Sequence, residues 1–118
     1  MLYLAVAAGG ALGAVMRYSL VMLSGLPSAI LVANILGSCI MGILVGGQHN
    51  SVFTFPPAIQ AFVMVGVLGA FTTFSTFSFE AFALFQEGEV KAAVAYVLAS
   101  VLMAIIGFAL GYKIISFF

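Results

Sequence analysis

The most unusual stretch of the chain runs from Thr72 to Glu80, where hydroxyl and aromatic residues alternate inside an otherwise apolar region. Phe74 and Phe77 are three residues apart, so in a helix they project from nearly the same face. An aromatic ring is negative on its face and positive at its edge, so ring edges can approach an anion. Ser75 and Thr76 add hydroxyls on the flanking faces, which can donate hydrogen bonds.

Polar residues also interrupt two other apolar runs, in pairs spaced one helical turn apart. Asn34 pairs in this way with Ser38, and Tyr96 with Ser100. Polar groups inside a membrane are costly and usually functional. Amide and hydroxyl donors together with ring edges can replace the water around a small anion, and without a buried Lys or Arg they release it again, as conduction requires. The alternative is that the rings face lipid and the hydroxyls bond to carbonyls of their own helices.

Two charged residues fall within the apolar runs. Arg17 shares one helical face with Gly9 and Gly13, and this favours a structural anchor at a helix contact over a group that attracts anions. Glu80 lies near the end of its run, where it is either at a pore mouth or a surface carboxylate that extends toward water.

The composition requires a bilayer as the solvent of this chain. Of its 118 residues 65% are hydrophobic and 5% charged, and the mean hydropathy is +1.35. Soluble domains are about 25% charged. A spanning helix needs about 20 mainly apolar residues, so we predict one all-α membrane domain over residues 1–118. Its four transmembrane helices are expected at about 2–24, 28–47, 57–85 and 92–117.

The third predicted span is too long for a simple crossing. Its middle, from Gly66 to Thr73, combines glycines with adjacent β-branched residues, and both weaken a helix. We therefore predict an interrupted helix, with a continuous tilted helix as the alternative. Unwound backbone at membrane depth survives only when it is buried in protein or lines a wet cavity, and its exposed carbonyls bind ions.

The distribution of charge gives almost no orientation signal. Lys113 lies at one membrane face and Lys91 at the other, so the usual excess of Lys and Arg on one side is missing. We expect the protein to insert in both orientations and to form an antiparallel homodimer. With a net charge of +0 there is no basic surface for nucleic acid.

Three blocks of the sequence, Gly9–Tyr18, Asn34–Ser38 and Gly69–Ser78, resemble the CrcB/Fluc family of fluoride channels. They occur in the family's order, and the chain length and number of spans also agree. The fourth span matches more loosely, through Tyr96 and Ser100.

The resemblance implies a fold and a function. It implies an antiparallel, dual-topology homodimer with two pores, which exports fluoride passively and gives fluoride resistance at a bacterial inner membrane. The residues implied to form the fluoride pathway are Asn34, Phe74, Ser75, Thr76, Phe77, Glu80, Tyr96 and Ser100. Arg17 is implied to be structural. A central sodium ion on the dimer axis is implied to be held by the backbone carbonyls of Gly69 and Thr72.

The chain departs from the family pattern at two positions. Ala70 stands where the family commonly has a second glycine, and this affects the geometry expected of the break. Ala104 lies one turn beyond Ser100, where a hydroxyl would extend the row of donors.

Other functional classes fit the sequence less well. A small multidrug resistance-type proton-coupled exporter has four spans too, but it needs a carboxylate in the first span, and none is present there. A non-transporting membrane assembly subunit is the second alternative. An enzyme is disfavoured, because no nucleophile–base pair, metal cluster or phosphate-binding loop is recognisable.

Overall fold

The computed structural model describes all 118 residues, and all of its regular elements are helices. Its elements are α1 (Leu2–Ser24), α2 (Ala29–His49), α3 (Pro57–Gln60), a π-helical segment (Ala61–Leu68), α4 (Gly69–Phe71), α5 (Phe74–Gln86) and α6 (Val90–Ile115). Four stretches are long and apolar enough to cross a membrane, the third being the composite stretch Pro57–Gln86, called here the third span. The predicted all-α membrane fold with four spanning helices is thus confirmed.

Glycine and proline set the ends of the helices. Gly25 ends α1 in the left-handed conformation, with φ of 66°, and Gly88 has φ of 78° in the turn between α5 and α6. A side chain at either position would be strained, because L-residues with a Cβ rarely adopt positive φ. Pro57 begins α3, where its missing N–H costs nothing.

Helices α2 and α6 form the tightest regular pair. A Cβ added at Gly42 would collide with the Phe108 carbonyl oxygen, and one at Gly111 with the Cys39 carbonyl oxygen. At Gly46 a Cβ would lie 2.7 Å from the Tyr112 carbonyl oxygen. Small residues let helix backbones approach where lipid offers no hydrophobic drive. Gly42 and Gly46 therefore serve the close packing of α2 against α6.

Helix α1 packs against the first half of the third span in the same way. A Cβ at Gly9 would collide with the Phe62 carbonyl oxygen, and a Cβ at Gly13 with that of Val67. On the opposite side of this contact, a Cβ at Gly66 would lie 2.8 Å from the Gly9 Cα. These glycines therefore serve the close approach of two backbones.

The third span is interrupted at Thr72 and Thr73, which have extended backbones with ψ of 150° and 124°. The interruption that we predicted between Gly66 and Thr73 is therefore present, at the end of that stretch, where glycines and β-branched residues were both expected to weaken the helix. Gly66 and Gly69 instead remain helical. The break falls on the two β-branched residues, whose side chains favour extended backbone.

Candidate functional site: a polar cavity at the helix break

A cavity of about 220 Å³ opens where the third span is interrupted. It lies between the break, the start of α5, and the middles of α2 and α6. Its lining residues are Asn34, Ser38, Thr72, Thr73, Phe74, Phe77, Ser100, Val101 and Ala104. Four of the eight predicted pathway residues therefore meet in one place: Asn34, Phe74, Phe77 and Ser100.

Asn34 fixes the backbone of the break. Its side-chain oxygen accepts a hydrogen bond from the Thr73 N–H at 2.8 Å, and its Nδ2 donates to the Thr73 carbonyl at 3.1 Å. An amide nitrogen carries two hydrogens, so one remains free of any partner within the chain. The sequence suggested only that Asn34 donates to an anion. Its two bonds to Thr73 were not foreseen.

Thr73 is the N-cap of α5, and its side chain contacts the other hydroxyls at that helix end. Its Oγ1 accepts from the Thr76 N–H at 3.2 Å, lies 3.0 Å from the Ser75 hydroxyl and donates to the Thr76 hydroxyl at 3.3 Å. Ser75 and Thr76 thus form a cluster around this N-cap and are not lining residues of the cavity. A threonine directly before the helix was the available signal for the cap.

Some hydroxyls of the segment bond to their own helix, as the alternative interpretation proposed. Thr72 Oγ1 donates to the Leu68 carbonyl at 2.9 Å, and Ser78 Oγ donates to the Phe74 carbonyl at 2.9 Å. Such bonds satisfy the hydroxyl locally. That interpretation therefore holds for these two residues but not for Ser100.

Three aromatic rings run in a row from the mouth of the cavity to α6. The ring centroids of Phe74 and Phe77 are 5.0 Å apart with planes inclined at 59°, and those of Phe77 and Tyr96 are 5.5 Å apart. Phe77 is 6% exposed, whereas Phe74 is 73% exposed. The inner ring is therefore held by its neighbours, and the outer ring is open to whatever covers this face of the chain.

Beyond Phe77 the row ends in a hydrogen-bonded pair, in which the Tyr96 hydroxyl donates to the Glu80 carboxylate. Both residues are half-buried. A tyrosine hydroxyl has one hydrogen, so in this arrangement it serves Glu80 and not a ligand in the cavity. Glu80 therefore has a hydrogen-bond partner on α6. From the sequence we considered a pore mouth or a surface position for Glu80, and neither alternative included this partner.

Ser100 is the one buried side chain whose polar atom has no partner. The residue is 5% exposed, its Oγ makes no hydrogen bond, and it lines the cavity. Leaving a buried hydroxyl unpaired costs about 1–3 kcal/mol. The wall of the cavity thus contains a hydroxyl for which the chain provides no hydrogen-bond partner.

Arg17 contacts the break from α1, where its Nε donates to the Ala70 carbonyl at 3.1 Å. It is half-buried and is not among the lining residues of the cavity. The nearby Thr72 carbonyl accepts no hydrogen bond within the chain, and Gly69 is exposed. Unpaired backbone oxygens are therefore present at the break.

A second cavity of about 310 Å³ adjoins the first. It shares Ser38 and Ala104 with the first cavity and continues along α2 and α6 to Ile105 and Phe108. The sequence drew attention to Ala104 only as the place where the row of hydroxyls stops. The structure places it at the junction of the two cavities.

A family model described as "CrcB-like protein, Camphor Resistance (CrcB)" matches residues 4–112, which is nearly the whole chain. The chain belongs to the CrcB family. Within this family it is similar to proteins named "Fluoride-specific ion channel FluC" from Shewanella halifaxensis and Rhodospirillum centenum, at 49% and 46% identity. These matches cover 93% and 95% of this chain, and 92% and 93% of the two relatives. "Fluoride-specific ion channel FluC 1" from Nitrobacter hamburgensis is 42% identical over 95% of this chain.

Proposed function

We propose that this protein is a fluoride-selective ion channel that lets cytoplasmic F⁻ leave passively, down its electrochemical gradient, and so confers fluoride resistance. The names of its relatives support the ion and the channel. The observation that carries the proposal is the cavity at the break, where the unpaired Ser100 hydroxyl and the Phe77 ring lie at membrane depth.

The cavity can hold a small anion without a fixed positive charge. The Ser100 hydroxyl and the free Asn34 hydrogen are donors, and the N-terminus of α5 adds partial positive charge from its backbone N–H groups. The edges of Phe74 and Phe77 complete the shell. No Lys or Arg lines the cavity, so the anion is held weakly enough to leave again. We place Ser75, Thr76, Tyr96 and Glu80 along the continuation of this path.

We further propose that the working unit is an antiparallel homodimer with two pores. Phe74, 73% exposed beside the cavity, is a large apolar ring that a second copy would cover. Lys91 and Lys113, on opposite membrane faces, leave neither orientation preferred. Reporter fusions at the C-terminus should be found on both sides of the membrane. A strictly one-sided result would contradict dual topology.

A sodium ion at the centre of this dimer fits the residues of the break. The Thr72 carbonyl has no hydrogen-bond partner within the chain, Gly69 three residues earlier is exposed, and unwound backbone carbonyls can coordinate Na⁺. No group of His, Cys, Asp and Glu could provide a side-chain site instead. Carbonyls of Gly69 and Thr72 from two copies would hold the ion, which would add a fixed charge between the pores.

Passive conduction is enough for export from a bacterial inner membrane. Hydrogen fluoride crosses membranes as a neutral molecule and ionises in a more alkaline cytoplasm, which traps the anion. An inside-negative potential then drives F⁻ outward with about 2.3 kcal/mol per 100 mV.

Purified protein in liposomes loaded with potassium fluoride tests the proposal directly. When valinomycin lets potassium balance the charge, a fluoride electrode should record release, whereas liposomes loaded with potassium chloride should retain chloride. Equal rates for the two anions would remove the selectivity. Uptake of a lipophilic cation driven by a proton gradient, with no fluoride release, would instead support the exporter.

A further inference from the structure

One face of α1 follows the backbone of the third span over three successive turns. Gly9, Gly13 and Arg17 recur at every fourth position. Gly9 lies against the Phe62 carbonyl and Gly13 against the Val67 carbonyl, and Arg17 Nε donates to the Ala70 carbonyl at 3.1 Å. Each turn of this face therefore meets one carbonyl of the third span.

The π-helical segment provides two of these three contacts, those at Phe62 and Val67. The step from Gly9 to Gly13 is four residues, whereas the matching step from Phe62 to Val67 is five. A π turn closes an i→i+5 bond and holds one more residue than an α turn. The next step is four residues on α1, from Gly13 to Arg17, and three on the third span, from Val67 to Ala70. Both elements therefore advance eight residues over the three contacts, and the wide π turn is followed by a shorter step that brings the Ala70 carbonyl to Arg17.

The break is held from both sides by side chains of other helices. The last carbonyls of a helix have no partner in the helix, and a cation is favourable at this end. Arg17 supplies both to Ala70, two residues before the break. Asn34 pairs with both backbone groups of Thr73, the second residue of the break. Between these two contacts lie only Phe71 and Thr72.

We propose that Arg17 is a positioning residue for the conduction pathway, and this inference rests on the proposed function. Through the Ala70 carbonyl it fixes the last turn before the break, and so holds Thr73 where Asn34 can bind its backbone. We assign it this role and not that of an attractor of anions, because its side chain does not line the cavity.

Three substitutions separate these two roles. Arg17→Met removes both the donor and the charge at similar length. Arg17→Gln keeps a donor without the charge, and Arg17→Lys keeps both without the planar fork. If the hydrogen bond matters, Gln and Lys retain more function than Met. If the charge matters, Lys alone retains function and Gln resembles Met.

The experiment measures initial fluoride efflux from liposomes against fluoride concentration, at low and high ionic strength. Arg17→Met should lower the saturating rate at least about tenfold, the value expected for losing a hydrogen bond to a charged group. Arg17→Gln and Arg17→Lys should lie between Met and wild type, with half-saturation and salt dependence unchanged. Glu87→Gln, which removes an exposed charge at the end of α5 and hardly affects membrane orientation, should match wild type.

Hydrogen exchange provides a measure that does not depend on transport. The Thr73 N–H, which Asn34 protects, should exchange faster in Arg17→Met than in Arg17→Gln. A Gln variant as inactive as Met beside a fully active, salt-sensitive Lys variant would overturn the inference, and so would wild-type rates in Arg17→Met. If Met does not fold, the order of Gln and Lys decides. Absence of fluoride efflux from the wild type would refute the proposed function, and the exchange comparison would still test the positioning role.

Discussion

Two helix pairs, α2 with α6 and α1 with the third span, are both packed through glycines, but they differ in how their backbones are satisfied. In both, glycines bring one backbone against the carbonyls of another. Helices α2 and α6 are continuous, so each satisfies its own backbone groups. The third span contains a π segment and two extended residues, and so it depends on Arg17 and Asn34 for the backbone groups that it leaves unpaired.

Because of this difference, stability and the proposed conduction can be tested by two different kinds of substitution. Contacts between regular helices are tested by adding volume, because close-packed backbones have no room to move. Contacts at the break are tested by removing polar groups, because an unpaired backbone group at membrane depth is costly. Variants of the first kind should mainly change unfolding, and variants of the second kind should mainly change ion flux.

The largest effect on flux is expected from Phe74→Ile. The substitution keeps an apolar side chain at an exposed position but removes the ring edge that we propose for the anion shell, so fluoride efflux should be abolished while the proposed dimer still assembles. Efflux from liposomes and size-exclusion chromatography in detergent measure the two properties. Phe79→Ile, at a ring of similar exposure that does not line the cavity, is the matched control. A fully active Phe74→Ile variant would eliminate the ring-edge mechanism.

Asn34→Leu should lower fluoride efflux at least about tenfold and reduce the free energy of unfolding by about 1–3 kcal/mol, since both backbone groups of Thr73 lose their partner. Efflux and thermal unfolding in detergent measure the two effects. Asn50→Leu removes an amide that donates to the Gly46 carbonyl away from the cavity, and it should leave efflux unchanged. Equal efflux in Asn34→Leu and wild type would show that the break holds without α2.

Gly13→Ala should destabilise the protein by about 1–3 kcal/mol, because the added methyl collides with the Val67 carbonyl. Gly10→Ala is the matched control, since a Cβ there meets nothing within 4 Å, and it should be neutral or stabilising by up to about 1 kcal/mol. Thermal unfolding of the two variants in one detergent makes the comparison. Equal midpoints would mean that α1 and the third span can separate without loss.

The smallest effect is expected from Ala104→Ser. A hydroxyl at the junction of the two cavities extends the row of donors from Ser100, so efflux should rise about twofold, the lower end of what a neutral hydrogen bond contributes. Ala99→Ser, on the same helix and outside both cavities, should leave the rate unchanged. A rate in Ala104→Ser equal to that of Ala99→Ser would place the ion path elsewhere.

The sequence by itself determined the four spanning helices, because apolar runs of this length are stable in a bilayer and not in water. It also predicted an interrupted third span, and the helical spacing of Phe74 and Phe77 placed their rings side by side. These features depend on residues near one another in the chain.

The tertiary structure alone decided the remainder. The π segment, the position of the break, and the partners of Arg17, Asn34 and Tyr96 depend on side chains that meet backbone or side-chain groups on other helices. Arg17 and Ala70 are 53 residues apart in the chain, and Asn34 and Thr73 are 39 apart. Local propensity predicts the stretch in which a helix is weak. Packing against α1 and α2 determines at which residues of that stretch the helix is interrupted.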